Sequence, residues 1–135
     1  MTQETTAVDT SWCFGCGKEN PIGLKLDMKE IDGVWTAYFA PKKEHESYGD
    51  RMHGGLTSTL LDEVMGDCVF RKAGRPAYTA KLEIRFRSAV RIGETVKVEG
   101  WITSRRGRLV TAEGRVVHED GSVAAESSAK MILAK

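Results

Sequence analysis

In the segment MHGGLTSTLLDEVMG, Met52–Gly66, a histidine and two glycines lead into an apolar run with an aspartate, Asp62, in its middle. A buried carboxylate is costly unless it is hydrogen-bonded or paired, so its presence asks for a reason. Glycines at 54 and 55 leave the start of a helix bare of side chains. The first N–H groups of a helix have no intrahelical partners, and the dipole there favours negative charge. A carbonyl oxygen that gains charge during a reaction can be held by such donors. Asp62 lies two turns further along, on a strip that also holds Gly55, Ser58 and Gly66. Small neighbours admit a substrate or a second backbone to the carboxylate, which would then do chemistry in a crevice. The plainer alternative is that His-Gly-Gly is only a helix entry and Asp62 is partly solvated, because glycine pairs and single helical acids are common. Glu63 points about 100° away from Asp62 and is expected outside the crevice or in an ion pair.

Cys13-x-x-Cys16 has the spacing of half a zinc site, but a structural zinc wants four ligands and no second such pair exists. A redox role would place the pair at a helix start in a βαβ unit, whereas here it sits in a Gly-rich stretch before a strand. The main expectation is a structural loop packing Trp12 and Phe14 without metal, a metal site being the minor alternative, with Cys68 inside the helix. His45 and His118 are expected at the surface.

The elements that must position these residues follow from periodicity. The 135 residues make one domain, with 41% hydrophobic and 29% charged residues. The net charge of +1 carries no basic field for nucleic acid. No apolar run reaches the roughly 18 residues of a membrane span, and the opening MTQETTAVDT lacks the pattern of a secretory signal. Three cysteines fit a reducing, cytoplasmic setting. Residues 1–12 are expected to be a mobile segment ahead of a single domain over 13–135.

Leu24, Leu26 and Met28 alternate with charged residues as in a strand, and Asp32-Gly33 marks a hairpin turn into VWTAYFA. Two parallel rows, Leu56-Leu60-Val64-Cys68 and Leu61-Met65-Val69, predict a helix from near Gly54 to about Lys72, ended by Gly74. Rows this wide predict an enclosed helix. Four strand patterns follow: TAKLEIRFR, ETVKVEGWIT, RLVTAEGRVVHE and SVAAESSAKMILA. Two strands, one long helix and four strands make an α+β fold in which a curved antiparallel sheet of five to six strands wraps the helix. Such a sheet leaves an edge that a second copy can cover.

The helix segment resembles the His-Gly-Gly, helix, Asp motif of hotdog-fold acyl-CoA thioesterases of the PaaI-like, phenylacetate-pathway type. CFGCGKENPIGLKL and TAKLEIRFRSAVRIGETVKVEG are similar to flanking segments of that superfamily, so the resemblance runs from about Cys13 to the C-terminus. It implies a hotdog fold and hydrolysis of an acyl-CoA to free acid and coenzyme A. It also implies roles: Asp62 as nucleophile or general base, Gly55 as N–H donor to the thioester oxygen, His53 shaping the site, and Thr79 assisting the attacking water. Gly54 and Ser58 would line the substrate site. One departure stands out, since many members carry an asparagine about six residues before the histidine. Here that region reads Ser47-Tyr48-Gly49-Asp50, leaving Ser47 or Asp50 to substitute.

Arg105, Arg106 and Arg108 are either a solvated hairpin or a grip on coenzyme A phosphates, for which guanidinium is suited. Arg71, Lys72, Arg85 and Arg87 are rival candidates. The expected protein is a cytoplasmic homodimer or homotetramer with acyl-CoA as substrate, no cofactor, no nucleic acid and no membrane. A hotdog hydratase or dehydratase, and a non-catalytic acyl-CoA-binding protein, are the alternatives.

Overall fold

The computed structural model describes residues 8–135; most of the segment expected to be mobile, residues 1–7, lies outside the described residues. Strands β1 (Lys29–Ile31) and β2 (Val34–Phe39) form a hairpin, helix α1 spans Gly54–Ala73, and β3 (Ala77–Phe86), β4 (Val96–Arg106), β5 (Leu109–Val117) and β6 (Val123–Leu133) follow. They form one sheet in the order β1-β2-β4-β5-β6-β3. Every neighbouring pair is antiparallel. One long helix against a curved six-stranded antiparallel sheet is the hotdog arrangement.

The helix forms where the apolar rows predict it. Gly74 ends it in the left-handed region at φ 74°, its N–H donating to Phe70 O at 2.9 Å. Leu60, Leu61, Val64, Met65 and Val69 are completely buried against the sheet. Gly100 and Gly114 face each other on β4 and β5 beneath this stripe. A Cβ on Gly100 would come 3.2 Å from Val64 Cγ1, and one on Gly114 3.2 Å from Met65 Cγ, so the pair lets helix and sheet close together. The enclosure is one-sided, since Leu56, Asp62, Gly66 and Phe70 remain partly exposed.

The first strand is shorter than its alternation predicts. Leu24 and Leu26 are buried, but Lys25 takes φ 54°, which breaks extended geometry. Leu24 and Leu26 donate instead to Phe14 O at 2.8 Å and Gly15 O at 2.9 Å, pinning the Cys13–Gly17 loop. The Asp32-Gly33 turn is as expected, both residues having positive φ. Strand β3, the sheet edge, is more exposed than its pattern suggested: Tyr78 and Phe86 are 64% and 56% exposed. No helix among the described residues is long and apolar enough to cross a membrane.

Candidate active site

The entry to α1 is built by His53. Its carbonyl accepts from the N–H groups of Leu56 and Thr57, both at 3.0 Å. Its Nδ1 accepts from Gly55 N–H at 2.9 Å, so the ring nitrogen facing the helix carries no proton. The imidazole thus acts as helix N-cap, where Ser, Thr, Asp or Asn is usual. The Gly55 donor that the resemblance offers to a thioester oxygen is engaged by His53 in this state. Ser58 Oγ donates to Gly54 O at 2.9 Å and Thr59 Oγ1 to Gly55 O at 3.0 Å, turning both hydroxyls back onto the helix.

Asp62 meets Thr79 across the gap to β3, where the Thr79 hydroxyl donates to Asp62 Oδ1 at 2.7 Å. A β-bulge makes this possible. Leu82, Ile84 and Phe86 pair with Ala129, Ser127 and Ala125, and strict alternation back from them would turn Thr79 to the opposite face. The register shifts between Thr79 and Lys81, so Thr79 pairs with the buried Met131 and points toward the helix. Re-aiming a side chain next to a site is a common use of a bulge.

The pair lines a cavity of about 210 Å³ between α1, the start of β3 and the Cys13–Cys16 loop. Glu63 lines it too, which corrects the expectation that it lies outside the crevice or in an ion pair. Its carboxylate sits under the loop, with Cys13 Sγ 3.6 Å from Oε2 and 3.8 Å from Oε1. Burial pushes the Glu63 carboxyl above its ordinary value, against the opposing pull of the Cys16 and Cys13 thiols. Burial and the neighbouring Glu63 push the Cys16 thiol far up. Gly15 makes the close approach possible, because a Cβ there would lie 2.3 Å from the Glu63 carboxyl carbon. Sequence spacing could not show Glu63 meeting a loop fifty residues away.

The other candidates are scattered. Arg105, Arg106 and Arg108 are exposed around the β4–β5 turn. Arg105 Nε donates to Gly107 O at 3.2 Å, and Arg108 Nη1 to Leu133 O at 3.1 Å. Leu133 pairs with Ala77, so this hairpin lies at the end of the sheet beside the C-terminus of α1. Within one chain it is not brought to His53-Gly54-Gly55. Ser47 Oγ donates to Arg51 O at 3.3 Å inside its own loop. A larger groove of about 830 Å³ lies elsewhere, lined by Trp101, Arg115, Glu126 and neighbours, and does not include Asp62.

Residues 49–125 match the thioesterase superfamily, more than half of the chain. The chain belongs to that superfamily. Solved structures agree in fold. A crystal structure of another thioesterase superfamily protein superposes with TM-score 0.80 at 24% identity, over 87% of this chain and 61% of that one. The chain therefore spans less than two thirds of that relative's length. Zebrafish thioesterase superfamily member 2 superposes with TM-score 0.77 at 18% identity, over 98% of this chain and 95% of that one. A Bacillus halodurans protein solved with CoA superposes with TM-score 0.75 at 23% identity, over 83% of this chain and 76% of that one. No curated protein sequence matches.

Proposed function

We propose that this member of the thioesterase superfamily hydrolyses an acyl-CoA to the free acid and coenzyme A, in the manner of the PaaI-like type. The observation that carries the reading is the Thr79-to-Asp62 hydrogen bond, formed in a cavity and aimed by a bulge. The carboxylate takes a proton from the water that attacks the thioester carbon, or attacks that carbon itself to give an acyl-aspartyl anhydride that water then hydrolyses. On either route the C–S bond breaks and coenzyme A leaves as the thiol. Thr79 orients the carboxylate or the water. Oxygen charge developing on the thioester is met by the N–H groups at the start of α1, the His53 ring yielding the Gly55 donor. The CoA present in the Bacillus halodurans structure fits this substrate class.

The active unit is a dimer, or a tetramer built from dimers. Gly55 and Asp62 are seven residues apart on one helix, about 10 Å along its axis. One thioester carbon cannot lie within about 3 Å of both. A second copy, docked along the exposed β3 edge, would set its Asp62 against this chain's Gly55. Its hairpin would bring Arg105, Arg106 and Arg108 as candidate phosphate ligands, and the same docking would pack Tyr78 and Phe86. The unit is the single domain over 13–135, and its free thiols suit a reducing cytoplasm.

Mixed assemblies test this. Asp62→Asn and Gly55→Val chains should each be inactive toward a panel of short, long, branched and aromatic acyl-CoAs. Co-refolded, half the dimers are mixed and each carries one intact site, so about a quarter of wild-type thiol release should return. No recovery from folded mixed dimers would place both groups within one chain's site. Wild type that binds acyl-CoA but hydrolyses none of the panel would make the protein a binder. Hydration of an enoyl-CoA instead would select the hydratase.

A further inference from the structure

We propose that Cys13, Cys16 and Glu63 form a binding site for a zinc-type divalent cation that clips the N-terminal loop to helix α1. One ligand atom from each residue lies within 4.8 Å of the others. Cys13 Sγ and Glu63 Oε2 are 3.6 Å apart. Zinc–sulfur and zinc–oxygen bonds of about 2.3 and 2.1 Å at a tetrahedral angle put those atoms about 3.6 Å apart. The Cys-x-x-Cys spacing, which alone supplied only half a site, gains its third ligand from the fold.

The loop is organised for this placement. Gly17 N–H donates to Cys13 O at 2.8 Å, closing the turn that turns both sulfurs toward the helix. A Cβ on Gly17 would lie 2.4 Å from Ser11 O, and one on Gly15 would strike the Glu63 carboxyl, so both glycines are needed to hold three ligands together. Two thiolates with one carboxylate favour zinc over magnesium or calcium, which prefer oxygen-only shells. All three residues line the 210 Å³ cavity, which has room for a water as fourth ligand.

A redox role for the pair is disfavoured. A thiol pushed up by burial beside a carboxylate is a poor thiolate nucleophile, and a cation reverses that by replacing the protons. Loading the metal fixes the loop that walls the cavity beside Asp62. The site would exist whether or not the cavity hydrolyses thioesters.

The experiment titrates zinc alone into the full chain, stripped with chelator and kept reduced. Wild type should bind one zinc per chain, melt at higher temperature when loaded, and show thiolate-to-metal charge-transfer absorption with cobalt. Outer partners of a metal ligand alone are worth about 10–100-fold in affinity, so Cys13→Ser/Cys16→Ser should lose at least about 100-fold, with the cobalt band. Glu63→Gln should bind more weakly but keep a thiolate band. Cys68→Ala should bind like wild type. Equal zinc affinity in wild type and the double-serine variant would show adventitious binding and overturn the site. So would well under one zinc per chain in the reduced protein. Wild-type affinity in Glu63→Gln would remove the third ligand and with it the proposal.

Discussion

Helix α1 carries two strips that obey different rules. On one, Leu60, Leu61, Val64, Met65 and Val69 are wholly buried and read directly from the i, i+4 rows of the sequence. On the other, Asp62, Glu63, Gly66 and Asp67 line a cavity, and each polar group is held by a residue far away in the chain. Asp62 is held by Thr79, Glu63 by the Cys13 loop, and Asp67 by Trp35, whose Nε1 donates to Oδ2 at 2.8 Å. The packed strip sets stability and tolerates similar apolar residues. The open strip carries the groups proposed for chemistry, held by hydrogen bonds to distant residues. Changes on the two strips should therefore separate cleanly in measurement.

The sharpest separation should come from Asp62→Asn. It keeps the size of the side chain and removes the carboxylate proposed as base, so kcat should fall on the order of 10²- to 10⁴-fold with an unchanged melting temperature. A drop in melting temperature with intact kcat would merge the two strips. Leu61→Ala is the opposite case. It should cost about 2–5 kcal/mol of unfolding free energy in denaturant titration, while kcat per folded molecule stays near wild type.

Gly55→Ala touches both properties at the helix entry, because its methyl would lie 2.9 Å from His53 Cε1. Losing the imidazole cap should cost about 0.5–2 kcal/mol of stability, along with a fall in kcat/KM. Thr79→Val should be milder, since one hydrogen bond is worth about 0.5–1.5 kcal/mol, or roughly 2- to 10-fold in kcat. Thr79→Ser should restore it, and KM should barely move in either variant.

The smallest effect concerns the loop that delivers the helix entry. Burial and the charge of Lys42 hold the His45 imidazole below its ordinary value. Its Nδ1 accepts from Lys42 N–H at 2.8 Å, and its carbonyl accepts from His53 N–H at 2.8 Å. A base with a lowered value stabilises the fold above its unfolded value, near 6.5, and loses that contribution as pH falls through the folded value. The melting temperature should decline slightly below about pH 6.5, and His45→Asn should flatten that slope.

How much of this was legible in sequence follows the same division. The helix bounds, the Asp32-Gly33 turn and the succession of two strands, a helix and four strands came from period and turn chemistry, which are local. Thr79 did not. Its alternation with Leu82, Ile84 and Phe86 points it away from the helix, and only resemblance to a family marked it; the bulge that turns it inward has no sequence signature here. Leu24 and Leu26 look like strand residues because they alternate, yet they serve a loop, since Lys25 leaves extended geometry. Glu63 was misplaced for a related reason. Helical angle predicts the direction of a side chain, but not the distant loop that meets it.

The strand that carries Thr79 has one further property. β3 follows the helix directly in sequence, yet its partner in the sheet is β6, with Ala77 opposite Leu133 and Phe86 opposite Ala125. On the ribosome, β3 emerges some forty residues before the strand that pairs with its backbone. Long-range pairings of this kind close slowly, because the intervening loop must lose its freedom first. The β3 side of the Asp62 cavity is therefore expected to set only once β6 has been made. Any lesion that delays β6 leaves β3 free to pair with another chain's edge.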